Sequence, residues 1–264
     1  MNKVFITYGD SAFEESKKRI CREAMQTSVF DSIILYGPQD ITKELQESKV
    51  FSVKRGGGLW SWKPDIILKT MNKLNDGDLL FYCDAGCTLQ KSKEWTDVYF
   101  RDLQQFDIRA IKIYQRNKKW IRKEIIDYFN NNPENWLNQF QVCATIAIKV
   151  TPFTRDFVKE WRNLMIKYPK FVMDVTCEEK DYQLSCFIEN RHDQALYSAL
   201  IYKYLSNGLI CLPWEHIEGV DPYRRQAIIA TRLKSGEVLS PNFKSVIFSY
   251  FKWGVKHLIY TSLK

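Results

Sequence analysis

The sequence predicts an α/β domain with a mostly parallel central sheet flanked by helices. Apolar, strand-like runs alternate with amphipathic stretches from the first residues onward, and this order is typical of parallel strands joined by crossover helices. A later apolar run, residues 79–82, is followed at once by an acid and a glycine, Asp84 and Gly86. In open parallel sheets, ligands bind at such carboxyl ends of strands.

The composition agrees with one folded domain. The chain of 264 residues is 45% hydrophobic and 14% aromatic, which supplies a sizeable core and argues against disorder. Its formal net charge of +8 favours an anionic partner such as a nucleotide, a nucleic acid or an acidic lipid surface. Seven cysteines without a C-x-x-C pair favour a reduced, cytoplasmic setting. No signal peptide is recognisable, and no apolar run reaches the ~18 residues of a membrane span.

The first elements are predicted from their end signals. Residues 3–10 form a short buried strand, and Ser11 with Glu14 has the spacing of a capping box that begins a helix. Residues 32–37 form a second strand. Residues 55–63, RGGGLWSWK, contain three consecutive glycines, which permit a tight or closely approached backbone.

The remaining elements continue the alternation. Pro64 fits the first turn of a helix, and a turn over 75–78 leads into the strand over 79–82. Further strands are predicted over 109–115, 142–150 and 208–213, and further helices over 64–75, 118–130, 151–168 and 191–205. Without repeats or an evident linker, we expect one domain over 1–240 and a separate tail over 241–264.

The tail has a helical pattern with a narrow polar strip and a broad apolar face. Two interpretations remain open. Residues 243–264 could lie on an anionic membrane surface with their lysines toward the headgroups, or pack on the domain as a terminal helix. The first interpretation predicts a cytoplasmic protein that is peripheral on the inner face of the cytoplasmic membrane.

Four stretches resemble nucleotide-sugar glycosyltransferases of the GT-A fold, especially bacterial enzymes of capsule and lipopolysaccharide synthesis. They are FITYGD, RGGGLWSWKPDIILKTM, LLFYCDAGCTL and RHDQALYSAL, and the resemblance covers roughly residues 3–215. It implies a Rossmann-like GT-A domain. The implied activity is transfer of a sugar, hexosyl in type, from a nucleoside-diphosphate sugar, with a UDP-linked donor expected. The acceptor would be a hydroxyl of a surface glycan or lipid-linked oligosaccharide.

The resemblance also implies a donor site. Asp84 would bind a ribose hydroxyl or a divalent cation, Mn²⁺ or Mg²⁺, with Ala85 and Gly86 beside the donor. The family usually carries Asp-x-Asp here, and Gly86 replaces the second acid, so the metal requirement is in doubt. His216 could be a late ligand or a structural histidine. The alternative for Asp84 is a simple turn cap.

Further donor contacts are implied near the first strand and the glycine run. Thr7, Tyr8 and Gly9 would lie near the nucleotide, although Tyr8 could equally be a core residue. Arg55 and Lys63 would stabilise the charge of a leaving diphosphate, or else be solvated cations.

The sugar and acceptor would meet the remaining site residues. Trp60 and Trp62 offer stacking surfaces, although tryptophans also serve as core. Asp193 would be a general base in an inverting enzyme or a donor-orienting group in a retaining one, and its alternative is a helix N-cap. His192 could bind sugar hydroxyls or be a surface residue. Gln141 could contact either sugar or merely begin a strand.

Two other classes of protein fit the sequence less well than a glycosyltransferase. A sugar nucleotidyltransferase would show a glycine-rich, basic loop directly after the first strand, whereas the chain has the acidic YGDSAFEE there. A basic nucleic-acid-binding protein would cluster its aromatics and cations in one motif, and here they are scattered. The sequence therefore predicts no specific nucleic-acid partner.

Overall fold

The computed structural model describes residues 1–133, 135–215, 217 and 226–233, and the single positions 237, 251 and 255. His216 and nearly all of the predicted tail over 241–264 lie outside these residues. Among the helices that are described, none is long and apolar enough to cross a bilayer. The predicted membrane contact of the tail therefore stays a prediction.

The strands alternate with helices along the chain. The strands are β1 Lys3–Tyr8, β2 Ser32–Tyr36, β3 Leu79–Tyr82, β4 Thr88–Leu89, β5 Ile108–Arg109, β6 Lys112–Arg116, β7 Phe140–Val142, β8 Ile146–Lys149, β9 Ile210–Cys211 and β10 Ile228–Ile229. The helices are α1 Glu14–Thr27, α2 Lys43–Gln46, the short turn α3 Gly56–Leu59, α4 Trp62–Met71, α5 Arg101–Gln105, α6 Asn117–Trp120, α7 Lys123–Tyr128, α8 Pro152–Lys167 and α9 His192–Tyr204.

The central sheet has six strands in the order β2-β1-β3-β8-β5-β9. β1 pairs in parallel with β2 and β3, and β5 pairs in parallel with β9, whereas β8 is antiparallel to both of its neighbours. The predicted α/β class with a mostly parallel sheet is therefore confirmed. β2 and β3 lie on opposite sides of β1, so the strand order reverses beside β1, where α/β sheets form ligand crevices.

Two apolar layers cover the two faces of this sheet. Because side chains alternate along a strand, Val4 and Ile6 of β1 face the layer that contains α4, α8 and α9, and Phe5 faces the other. That second layer is built from α1, the π-helical turn Trp95–Phe100 and α5. β3 is buried along its whole length, so its end delivers Asp84 from a rigid core element.

The predicted bounds of one strand, one helix and one helix cap were wrong. The run over 109–115 divides into β5 of the central sheet and β6, which pairs with β7 in a separate small sheet. The helix expected over 118–130 divides into α6 and α7, because the intervening Arg122 turns inward, is fully buried and pairs with Glu124 and Glu179. Asp10, rather than the predicted Ser11, caps the first helical turn by accepting from the Ala12 N–H at 3.0 Å.

A left-handed turn over residues 56–60 leads directly into α4. Five consecutive residues, the three glycines followed by Leu59 and Trp60, have φ between +53° and +94°. Left-handed backbone costs non-glycine residues about 1–2 kcal/mol each. Because three of the five residues are glycines, most of the turn avoids this cost. Ring stacking of Trp62 on Tyr8, with centroids 4.0 Å apart, holds the following residues. The turn thereby fixes where α4 begins.

Alanine substitutions at Gly58 and Gly77 test how tightly this turn is packed. Both glycines have similar φ, +94° and +92°, but a Cβ at Gly58 would lie 2.6 Å from the Phe51 ring, whereas a Cβ at Gly77 meets nothing within 4 Å. We expect Gly77→Ala to lower the free energy of unfolding by about 1 kcal/mol and Gly58→Ala by about 2–4 kcal/mol. Urea unfolding of both variants measures this, and equal losses would contradict the packing argument.

Candidate active site

Lys63 lies at the centre of a cluster of charges at the carboxyl end of the sheet. It sits in the first turn of α4, and its side chain is 2% exposed. Its Nζ donates to Asp193 Oδ2 at 2.7 Å and lies 3.4 Å from Asp84 Oδ1. Asp84 follows β3 and Asp193 lies in the first turn of α9, so three distant parts of the chain meet here.

The cluster is an ion pair buried on one side and open on the other. Burial alone would lower the pKa of Lys63, but the charges of Asp193 and Asp84 outweigh it, so the pKa is raised and the ammonium persists at neutral pH. Burial raises the pKa of Asp193, and Lys63 counteracts that effect. Asp84 is more exposed than Lys63 and Asp193: its side chain is 51% exposed. It also accepts a hydrogen bond from the Tyr82 hydroxyl. Asp84 is thus the member that a ligand can reach.

This cluster lines a cavity of about 330 Å³. Seven of the residues predicted for the site lie around it: Trp60, Lys63, Asp84, Gly86, Gln141, His192 and Asp193. The structure thus brings together residues from the glycine-rich turn, the end of β3, strand β7 and the start of α9. Two arginines, Arg191 and Arg232, also line the cavity.

Trp60 and His192 form a strained pair at the cavity wall. Both have positive φ, +59° and +52°, and their rings lie 4.9 Å apart between centroids. His192 Nδ1 is 2.8 Å from the carbonyl oxygen of Val172, which sets the ring orientation. Because left-handed non-glycine backbone persists only where surrounding contacts enforce it, and collects at functional sites, this wall has the character of a binding surface.

Amide side chains form another part of the wall. Gln141 is fully buried, lies 3.3 Å from the Trp120 carbonyl through Nε2 and accepts from Gln194 at 3.2 Å. Gln115 lines the same cavity, and its Oε1 is buried without a hydrogen-bond partner among the described residues. Neutral amides beside an indole suit a neutral, hydroxyl-rich ligand, because amides both donate and accept.

Other predicted residues lie near the cavity but do not line it. Thr7 is buried and donates to the Cys83 carbonyl at 2.8 Å, and the Tyr8 ring is covered by Trp62. Burial raises the pKa of Tyr8 to about 12. The carbonyl of Gly9 accepts from Lys17 at 3.2 Å. Nucleotide contact by Thr7, Tyr8 and Gly9 therefore stays a prediction.

Arg55 and Ala85 have protein partners of their own. Arg55 pairs with Asp174 at 2.7 Å on the surface, near the His192 wall. Ala85 is buried, and its carbonyl accepts from Arg19 at 2.9 Å. Sequence reasoning missed Gln115, Arg191 and Arg232 because strand and loop residues from distant segments carry no shared spacing. Arg191 and Gln194, which flank His192 and Asp193, did stand within the quoted motif RHDQALYSAL.

The described residues of the cavity do not fit a divalent metal. Mg²⁺ and Mn²⁺ prefer several oxygen ligands in a near-octahedral shell. Two acids line the cavity. Asp193 accepts a hydrogen bond from Lys63, and Asp84 pairs with Lys63 and accepts a hydrogen bond from Tyr82. Across the part of the chain that the structure describes, no group of three or more His, Cys, Asp or Glu side chains forms a metal site.

Comparison with known proteins yields weak structural likenesses. No protein-family model and no curated protein matches the chain. The galactosyltransferase LgtC, solved with donor and acceptor sugar analogs, is 13% identical, covers 79% of this chain and 72% of that chain, and gives a TM-score of 0.42. Mouse xyloside xylosyltransferase 1, in apo form, is 10% identical over 81% of this chain and 85% of that chain, with a TM-score of 0.44.

A third likeness is to the bifunctional glycosyltransferase WbbM in apo form. It is 10% identical over 80% of this chain and 39% of that chain, with a TM-score of 0.42. At identities and TM-scores this low, the likenesses define no activity for this chain. The function of this chain must therefore be inferred from the residues of the cavity.

The Lys63→Met variant tests the electrostatics of the cluster. Without the ammonium, burial and the negative charge of Asp84 both raise the pKa of Asp193 above the ordinary 3.8. The folded chain then holds the Asp193 proton to higher pH than the unfolded chain does, so stability is lost as the pH rises. We expect a loss of about 3–5 kcal/mol at pH 8 and a smaller loss at pH 5.

Urea unfolding at both pH values measures this loss. Lys18→Met is the matched control, because Lys18 pairs with Glu15 on an exposed helix face. Such exposed pairs contribute little to stability, so the control should change little and without a pH trend. A Lys63→Met loss that is equal at pH 5 and pH 8 would refute the assignment.

Proposed function

We propose that this chain is a glycosyltransferase that moves a sugar from a nucleoside-diphosphate sugar to a hydroxyl of an acceptor glycan. The observation that carries the proposal is the convergence of Asp84, the Lys63–Asp193 pair, the Trp60–His192 wall and the glutamines on one cavity. That combination of carboxylates, amides and an aromatic face suits carbohydrate hydroxyls, which need both hydrogen-bond donors and acceptors.

The position of Asp84 supports a donor with a ribose. It follows β3, beside the point where the strand order of the sheet reverses, and α/β folds bind nucleotides in that crevice. Its exposed carboxylate can accept hydrogen bonds from a ribose diol. We assign ribose binding to Asp84, with Thr7, Tyr8 and Gly9 at the end of the neighbouring β1 as the nucleotide side.

Cations at the cavity support a diphosphate. Arg191 and Arg232 line it, and the chain as a whole carries a net charge of +8. Arginine binds phosphate oxygens through paired N–H donors, and fixed cations stabilise the charge that develops on a leaving diphosphate. Arg55 lies farther along the same wall and pairs with Asp174. It would add to the positive electrostatic field at the diphosphate without touching it.

Asp193 and its neighbours would receive the sugar. Its described contact is made through Oδ2, which Lys63 holds at 2.7 Å, so this carboxylate is fixed in orientation. A fixed carboxylate can orient the hydroxyls of the donor sugar or accept a proton from the acceptor. His192, Gln141 and Trp60 complete the surface around it.

The finer identity of the substrates is also part of the proposal. The motifs that resemble capsule and lipopolysaccharide glycosyltransferases favour a uridine diphosphate hexose and an acceptor on a surface glycan or lipid-linked oligosaccharide. With a lipid-linked acceptor, the tail over 243–264 would hold the enzyme at an anionic membrane surface, on the cytoplasmic face.

A thermal-shift panel of nucleoside diphosphates and their sugars tests this function. A ligand that binds only the folded chain raises the melting temperature, by about 5 °C or more at a hundredfold excess over Kd. We expect uridine diphosphate and its sugars to give the largest shift. Asp84→Asn should remove most of it, and Asp97→Asn, at an exposed acid on the opposite layer, should retain it.

Donor turnover completes the test. Slow release of the diphosphate from the matching sugar donor should accompany the shift and should be lost in Asp84→Asn. If uridine, guanosine and cytidine diphosphates and their sugars all leave the melting temperature unchanged, the chain is not a nucleotide-sugar transferase.

A further inference from the structure

We infer that the ammonium of Lys63 fills the cation position between Asp84 and Asp193, so that sugar transfer by this chain needs no divalent metal. The inference rests on the proposed function. It concerns the charge that usually sits between an acidic strand end and a diphosphate. In this chain, that charge is a side chain of the protein itself, in contact with both carboxylates.

Packing at Gly86 disfavours the second acid of an Asp-x-Asp pair. A Cβ at this position would lie 3.3 Å from both Arg232 Cα and the Leu233 carbonyl oxygen. The Gly86 carbonyl accepts from Leu233 N at 3.0 Å and from Thr231 Oγ1 at 2.7 Å. Backbone of the 231–233 segment therefore lies tightly against the position where a side chain at residue 86 would begin.

Lys63 is also held in place rather than free to swing aside. Its side chain is almost fully buried, and its Nζ lies 5.9 Å from the Trp62 ring centroid and 5.4 Å from that of Tyr82. A divalent cation between the same two carboxylates would sit against this ammonium. Like charges at such distances repel strongly beside an ammonium that is buried, so the cation and the ammonium exclude each other.

The ammonium still leaves a hydrogen-bond donor for the ligand. Lysine carries three N–H donors, and its two polar contacts in the described structure are those to Asp193 and Asp84. The third can reach an oxygen atom in the cavity, which Lys63 lines. Because one lysine offsets only one of the two carboxylates, further positive charge for a diphosphate would come from the lining arginines, Arg232 and Arg191, of which Arg191 also pairs with Glu189 at 3.2 Å.

The decisive experiment uses the full chain stripped of metal. The melting-temperature shift given by uridine diphosphate, and the release of this diphosphate from its sugar donor, are measured with excess EDTA and again with added Mn²⁺. We expect the two conditions to agree within about twofold in rate. A metal-dependent transferase would lose about a hundredfold or more in EDTA, because a bound cation contributes several factors of ten.

The outcomes separate this inference from the proposed function. A shift and turnover that are equal in EDTA and Mn²⁺ support both. A shift or turnover that appears only with Mn²⁺ overturns the role of Lys63 and leaves the transferase proposal standing. Absence of any shift in either condition overturns the proposed function, and with it this inference.

Direct Mn²⁺ binding gives an independent readout. Addition of the wild-type chain should not diminish the electron paramagnetic resonance signal of free Mn²⁺. With uridine diphosphate present, the signal should fall only as far as it falls with the nucleotide alone. Signal loss that disappears in Asp84→Asn and persists in the exposed-site control Asp97→Asn would show a metal at Asp84 and overturn the inference.

Discussion

The contact of Lys63 with Asp193 and Asp84 is the constraint on which the cavity depends. An ammonium this deeply buried is tolerated only because carboxylates stand 2.7 and 3.4 Å away, since an unpaired buried charge would cost several kcal/mol. The pair therefore fixes the start of α4 against the start of α9 and against the end of β3. Those are the three elements that surround the ligand space.

The rest of the site can be understood as support for that contact. The left-handed turn over residues 56–60 delivers Trp60 to the cavity and Lys63 to the charge cluster within one short segment. Stacking of Trp62 on Tyr8 ties the segment to β1. On the other side, Val172 and Trp60 hold His192 at the start of α9. Strain at Trp60 and His192 is thus maintained by packing on both sides of one cavity.

Much of the fold could be predicted from sequence, because β1, β3, α8 and α9 have clear periodicity and end signals. The breaks between β5 and β6 and between α6 and α7 could not, since continuous runs of residues do not show where the chain leaves one sheet or turns a side chain such as Arg122 inward. In the site, Asp84 was found from its place after a buried strand. The contacts of Lys63 with Asp84 and Asp193 could not be predicted, because residues this far apart, 130 positions for Lys63 and Asp193, give no spacing signal.

If the chain is the transferase that we propose, a nucleoside diphosphate binds against Asp84 with the Lys63–Asp193 pair intact. A crystal structure of the chain with uridine diphosphate and Mn²⁺ in the crystallisation solution tests it most directly. We predict the ribose at Asp84, the diphosphate toward the arginines, and Lys63 Nζ still in contact with both carboxylates. A nucleotide bound elsewhere, or Lys63 displaced by a metal ion between Asp84 and Asp193, would contradict it.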